Sequence, residues 1–493
     1  MAEIVNWSEN HRVLCNKIYT PTSDEEIFSI LTEHEKNKIP IRVYGSALSP
    51  NGISFCPDAM INLGKMNKIL FVDKSNKQVK VQAGITIEHL ANKLEEFGLT
   101  LENFGSIKLQ TLGGFTQVGV HGTGISIPPV DCQIVQFKLI SPSCGIREFD
   151  RISDPEDFHL LRLGLGCFGV VSEITLQCID AIYLKEETSV RSWDEIEMSH
   201  ATNLASNRHL RYLWIPYTRS VIEIKSNPFT CSSDQIPSQL TTWGASLPGE
   251  LNEFQKLLLN NSQYDKETVL RFPLAKIRDE LLKLSISDTD WVKKVNNAEL
   301  DMWKEANGTK IGKYREILEF DCGGRQLVNE FAVQLDSPMK DILLVKEMIL
   351  EIERSHLAAP APIEQRWSQR STSPMSPAFS QDETATFTWV GFIYYFPNIK
   401  QREEAKQLFA AYSNHIVHSL SRKYALKLHW AKLELPAEKL NYVRESLRNN
   451  FPLRLFNSRR KHYDSNNILA NQWVIQLLDN NEETDAREQI VDK

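Results

Sequence analysis

The sequence predicts an α+β fold of two domains. Three observations carry this. The chain has 493 residues, more than one hydrophobic core ordinarily covers. Strand and helix signals alternate in the first third, with few of the regular repeats that build a doubly wound parallel sheet. Near residue 180 the texture changes to longer helical runs set between β-rich stretches.

The elements follow in order. Ser23 precedes three acids and an amphipathic run through Ile27, Phe28, Ile30 and Leu31, the pattern of a capped helix. Ile41-Arg42-Val43-Tyr44 reads as a short buried strand. Met60 to Leu63 and Gln78 to Gln82 read as two more, the second alternating with period two. Thr86 caps a helix from Ile87 to Leu94 that stops near Gly98. Ile134 to Ile140, Val170 to Gln177 and Ile222 to Ile224 are further strands, and Pro155 to Leu161 is a helix. Later, 250–262, 270–284 and the run from Lys340 read as helical, and Phe387 to Tyr395 as a strand. Ala358 to Ala378, rich in Ala, Pro, Ser and Arg, reads as a loop holding Glu364-Gln365-Arg366-Trp367. The predicted division is 1–180, then 181–440, then 441–479 returning to the first domain, then a frayed acidic tail 480–493.

Composition excludes several classes. The chain is 42% apolar and 24% charged, with a net charge of −7, and gives no footprint for nucleic acid or an anionic membrane. No run approaches the roughly 18 apolar residues of a membrane span. The first residues carry acids and no apolar core, so neither a secretory signal nor a basic transit peptide is read there. The cysteines at 15, 56, 132, 144, 167, 178, 231 and 322 show neither C-x-x-C nor zinc-ligand spacing. Free thiols and no metal site are expected.

Glycine carries more. Gly45-Ser46-Ala47-Leu48-Ser49 follows a strand and offers main-chain N–H groups and hydroxyls to an anion such as a pyrophosphate. Gly105-Ser106, Gly113-Gly114, Gly119 and His121-Gly122-Thr123-Gly124 place small residues where a flat ligand can lie against backbone. Gly164-Leu165-Gly166-Cys167-Phe168-Gly169 spells a dinucleotide fingerprint but lies between a helix and a strand, the reverse of the required order. It reads as a helix stop and a turn, and a nicotinamide site is rejected.

Together, R-x-x-G-S-x-x-S (Arg42 to Ser49), G-S…G-G…H-G-T-G and G-L-G-x-x-G-V-V-S-E-I-T-L resemble the FAD domain of the vanillyl-alcohol-oxidase family. His429-Trp430-Ala431-Lys432 resembles a motif of the aldonolactone oxidoreductases within it, and Tyr463 to Asn471 resembles their closing segment. Asn6-Trp7-Ser8, Pro128 to Asp131 and Ile363 to Trp367 are similar to the plant-type dehydrogenases of that group.

The resemblance implies a flavoprotein with a PCMH-type FAD-binding domain and a cap domain built on an antiparallel sheet. It implies FAD contacts from Arg42, Val43, Tyr44, Gly45, Ser46, Ala47, Leu48, Ser49, Gly105, Ser106, Gln110, Thr111, Gly113, Gly114, His121, Gly122 and Val171. Many family oxidases hold FAD covalently through a histidine where this chain has Leu48, so non-covalent FAD is expected. The implied reaction oxidises L-galactono-1,4-lactone to L-ascorbate, with electrons passing to cytochrome c or oxygen. Glu364 would position or deprotonate the substrate hydroxyl, and Arg366, two residues on in an extended segment, would stabilise negative charge. His429 and Lys432 would contact the flavin region, whether their segment is helix or strand. The plant-type dehydrogenases carry alanine at the position of Gly105, and a missing methyl there would open a path for oxygen. The other readings are an L-gulono- or D-arabinono-1,4-lactone oxidase, or a respiratory-complex assembly factor that keeps the fold. Location by resemblance is mitochondrial, peripheral to the inner membrane or complex I, and otherwise cytoplasmic.

Overall fold

The computed structural model describes residues 1–230, 250–305, 308–320, 323–434 and 440–479. The tail 480–493, Cys231 and Cys322 lie outside the described residues.

The N-terminal part is built mainly on a three-stranded and a five-stranded sheet, with two small two-stranded sheets beside them. Strands β1 (Lys17–Tyr19), β2 (Arg42–Tyr44) and β3 (Ala59–Asn62) form a small parallel sheet in the order β1-β3-β2. Strands β4 (Ile69–Asp73), β5 (Gln78–Gln82), β6 (Ile134–Ser141), β7 (Gly145–Asp150) and β8 (Val170–Gln177) form an antiparallel sheet in the order β7-β6-β8-β5-β4. Helices α1 (Asp24–Asn37), α2 (Ile87–Glu95), α3 (Leu112–Gln117) and α4 (Pro155–Leu161) connect them. The capping residues work as read: Ser23 accepts from the Glu26 N–H and Thr86 from the His89 N–H. After α4 the chain turns through Leu165 (φ 56°) and Gly166 (φ 66°) into β8, so the G-x-G-x-x-G run is a turn into a strand.

An eight-stranded antiparallel sheet dominates the rest. Its strands are β9 (Tyr183–Ser192), β10 (His209–Ile215), β11 (Ser220–Phe229), β12 (Gly308–Lys313), β13 (Gln326–Gln334), β14 (Ile363–Gln369), β15 (Thr386–Tyr395) and β16 (Lys427–Leu428). Their order is β12-β9-β11-β10-β14-β15-β13-β16. Helices α5 (Trp193–Ser206) and α9 (Lys340–Arg354) pack into the main core through Ile196, Leu344 and Met348. Helices α6 (Glu253–Asn261), α7 (Leu274–Leu284) and α8 (Thr289–Glu305) build a second core around Phe254, Ile277 and Val295.

Ala358 to Ala378 is not all loop, because Ile363–Gln369 is strand β14, fourth from one end of the eight-stranded order. Prolines before it and serines after it mask the strand. It also lacks a plain apolar-polar alternation because both of its faces carry polar groups. Gln365 on one face bonds the Trp214 indole and the Asp341 carbonyl, while Glu364 and Arg366 share the other.

Helices α10 (Arg402–Ser421), α11 (Leu440–Asn450), α12 (Leu453–Tyr463) and α13 (Gln472–Leu478) close the chain. The final segment lies against the N-terminal part. The Ile41 N–H donates to the Ile468 carbonyl, and the Asn471 amide donates to the carbonyls of Gly52, Ile53 and Phe55. Among the described residues no helix is long and apolar enough to cross a membrane.

Candidate active site

A cavity of about 560 Å³ opens between the N-terminal glycine loops and one face of the eight-stranded sheet. The stretch from Arg42 to Ser49 lines it along one side. Gly105, Ser106, Gln110 and Thr111 line it on another, with Gly113, Gly114, His121 and Val171. Glu364, Arg366, His429 and Lys432 line it from the sheet side. Of the sequence-predicted residues only Gly122 stands apart, lining a small cavity behind this one beside Asn103 and Glu186.

Local structure explains why these residues meet. The loop after β2 packs so closely on the 105–114 segment that a Cβ on Gly45 would stand 1.7 Å from the Thr111 hydroxyl. Arg42 is 2% exposed, and its guanidinium donates to the carbonyls of Ile53, Leu165, Gly166 and Leu469. Its charge therefore ties the loop walls together. His429 caps the short 3₁₀ turn Trp430–Lys432 by accepting the Ala431 N–H, so that motif is neither an α-helix nor a strand.

The electrostatic centre is a residue the sequence reading missed. Glu330 on β13 is 1% exposed. Its carboxylate accepts from Arg366 at 3.0 Å, lies 3.0 Å from His121 Nε2, and pairs with Lys432 at 2.5 Å. Burial would raise its pKa, but Lys432, His121 and Arg366 outweigh that and hold the carboxyl well below the usual range. Burial lowers His121 and holds His429 well below the ordinary imidazole value. The available signal was the polar pair Asn329-Glu330 inside the otherwise apolar run Leu327 to Val333. His121, Glu330 and His429 place possible ligand atoms within 4.8 Å of one another. Arg366 and Lys432 already share Glu330 and would repel a dication.

Glu364 sits 3.3 Å from Arg366 and 3.8 Å from Arg211, and its buried Oε1 has no hydrogen-bond partner. Arg211 lies 4.3 Å over the Phe320 ring, and the Phe320 N–H donates to the Ser106 carbonyl. Cap strands and the glycine loops thus meet at one wall. Trp389 supports His121 from behind, its ring stacked 3.7 Å away.

Glu319 lines the same cavity, and burial pushes its carboxyl up to about 7, with Arg315 opposing. The folded chain therefore holds this proton where the unfolded chain, near 4.5, has released it. Stability contributed by the group is present below pH 4.5 and is lost as pH rises toward 7. Glu319→Gln should raise the thermal midpoint at pH 8 relative to the parent and leave it unchanged near pH 4.5. Equal midpoints at pH 8 would count against this.

The donor set fits FAD. A strand-to-loop junction of small residues faces a cavity of the size that holds cofactors. Gln110 is among the lining residues, and its buried Oε1 accepts no hydrogen bond within the protein. Comparison with known proteins agrees. A family model described as FAD binding domain matches residues 16–149, and one described as D-arabinono-1,4-lactone oxidase matches residues 174–477. The chain belongs to the D-arabinono-1,4-lactone oxidase family.

As a member of that family it is an FAD-dependent oxidoreductase, and FAD is its cofactor. Its relatives include the mitochondrial L-galactono-1,4-lactone dehydrogenases of Brassica oleracea and Arabidopsis thaliana, each 39% identical over 96% of this chain. Those matches cover 82% and 81% of the two plant proteins. The L-gulonolactone oxidase of Bos taurus is 26% identical over 95% of this chain and 96% of its own. Among solved structures, a solvent-stable cholesterol oxidase shares the two-domain flavoprotein fold, with a TM-score of 0.75 at 16% identity over 96% of this chain and 97% of its own.

Proposed function

We propose that this family member oxidises L-galactono-1,4-lactone to L-ascorbate at the cavity described above. The observation that carries the reading is Glu364 beside Arg366 among the cavity-lining residues of β14, with Glu364 Oε1 accepting no hydrogen bond and only Arg211 near it, at 3.8 Å. The plant relatives carry the substrate class in their names.

FAD bound in the cavity supplies the two-electron acceptor. Glu364 accepts the proton of the substrate 2-hydroxyl. Arg366, tied to Glu330, holds positive charge where negative charge develops. Lys432 adds a second positive charge on the same carboxylate. His429 keeps its Nδ1 engaged by the Ala431 N–H and shapes the wall. Leu48 offers no nucleophilic nitrogen, so the cofactor is held without a covalent bond. Residues 1–180 with 441–479 act as the cofactor-binding unit, and 181–440 act as the cap that admits the lactone. The site of action is mitochondrial, in keeping with the plant relatives, at the periphery of the inner membrane or of complex I.

Anaerobic stopped-flow mixing with L-galactono-, L-gulono- and D-arabinono-1,4-lactone tests this. L-galactono-1,4-lactone should bleach the flavin absorbance fastest. Absence of bleaching by all three would overturn the reading.

The electron acceptor is cytochrome c, with oxygen as a second acceptor on account of Gly105. A Cβ there would stand 2.9 Å from Gln110 Oε1 and Val120 Cγ1 and 3.2 Å from Phe115. A methyl there would press on all three, so Gln110 or Val120 must shift to admit it. Gly105→Ala should slow reoxidation of the reduced enzyme by air several-fold while cytochrome c reduction continues. Equal air reoxidation in both forms would argue against an oxygen path at this residue.

A further inference from the structure

The reach of Arg366 across the sheet has a geometric cause. Glu364 on β14 stands directly opposite Gly391 on β15, and Gly391 stands directly opposite Glu330 on β13. Directly opposed residues share a face of the sheet, so this row ends in a carboxylate on either side of a glycine. Arg366 lies on the same face, two residues from Glu364. To meet Glu330 its side chain crosses β15, a span of about 10 Å between the flanking strands. Gly391 leaves that path open, since a Cβ there would stand 3.3 Å from Glu330 Oε1. From the other direction, Lys432 comes off the 3₁₀ turn to the second oxygen of the same carboxylate.

We propose that Glu330 is a positioning residue that holds Arg366 and Lys432 at the cavity wall and, by its charge, sets the reduction potential of the bound FAD. This rests on the reading that the cavity takes FAD. Around the row stand three cations, Arg211, Arg366 and Lys432, against two anions, Glu330 and Glu364. The local excess is one positive charge. Glu330 is 1% exposed, so solvent ions screen its charge weakly. Positive charge stabilises the electron-rich reduced cofactor relative to the oxidised one, and each buried carboxylate opposes it. Glu330 makes and breaks no bond in this role. It spaces two cations and subtracts one unit from their field.

The test is potentiometry of the FAD-loaded enzyme against a reference dye, read from flavin absorbance. Glu330→Gln keeps the shape and removes the charge. It should shift the ratio of reduced to oxidised FAD at fixed potential at least tenfold toward reduced, about 30 mV upward for a two-electron couple. Lys432→Met should shift it the opposite way. The double variant Glu330→Gln/Lys432→Met should return close to the parent, which a merely structural role would not produce. Glu330→Asp, which keeps the charge, should stay with the parent.

A Glu330→Gln enzyme with FAD bound and its potential unchanged or lowered overturns the proposal. So does a double variant no closer to the parent than either single variant. If Glu330→Gln fails to retain FAD, Lys432→Met decides, and an unchanged potential there overturns the proposal. A parent enzyme whose potential follows this pattern but whose FAD is not reduced by any lactone would sink the functional reading and leave this one standing. A parent that binds no FAD would sink both.

Discussion

Glu364→Gln should lower lactone turnover at least 100-fold, and FAD should remain bound, as expected when a positioned base is lost. The substitution preserves volume and hydrogen-bonding shape. What it removes is the ability of Oε1 to take up a proton, along with the charge facing Arg366 at 3.3 Å and Arg211 at 3.8 Å. Arg366 keeps its second partner, Glu330, so the cavity wall should hold. The loss should therefore appear in the rate of anaerobic flavin bleaching at saturating lactone, with the bound flavin spectrum intact. A bleaching rate within about tenfold of the parent would mean that another group accepts the proton.

Arg42→Met is the second large effect, and it should act on stability. The guanidinium is 2% exposed and satisfies four main-chain carbonyls from three separate stretches: Ile53, Leu165 with Gly166, and Leu469. Methionine fills much of the space but donates to none of them. Unpaired buried carbonyls cost roughly 1–3 kcal/mol each, so a loss on the order of 4 kcal/mol is expected after some relaxation. The midpoint at which heat releases flavin fluorescence should fall by about 4 °C. A fall of less than about 2 °C would show that water or backbone movement replaces the arginine.

The two positions were legible to different degrees. Arg42 could be singled out by its place before Gly45-Ser46, but its four partners lie up to 427 residues away, and no local pattern points to them. Glu364 and Arg366 could be paired from their spacing, since alternate residues of an extended segment share a face. Their strand was read as a loop because its surroundings are proline- and serine-rich, and because it carries polar groups on both faces. Glu330 was not found. A lone acid in a strand most often faces solvent, and only the strand order that brings β13, β15 and β14 side by side reveals its three partners. Glu319 was missed for a related reason, because its environment is set by burial against the cavity and not by its neighbours in sequence.

Local pattern in the chain was enough for the α+β class, the helix caps at Ser23 and Thr86, the G-x-G-x-x-G run as a turn into a strand, and the FAD family. Each depends on short-range pattern: period, capping chemistry, or the order of strand, glycine and helix. The three-dimensional fold was needed to see that β14 is a strand within the eight-stranded sheet and that Glu330 organises the charges. It also decided that Gly391 leaves the gap through which Arg366 reaches across. Those features depend on contacts between strands far apart in the chain. Their energetics come from burial, which a linear sequence does not display.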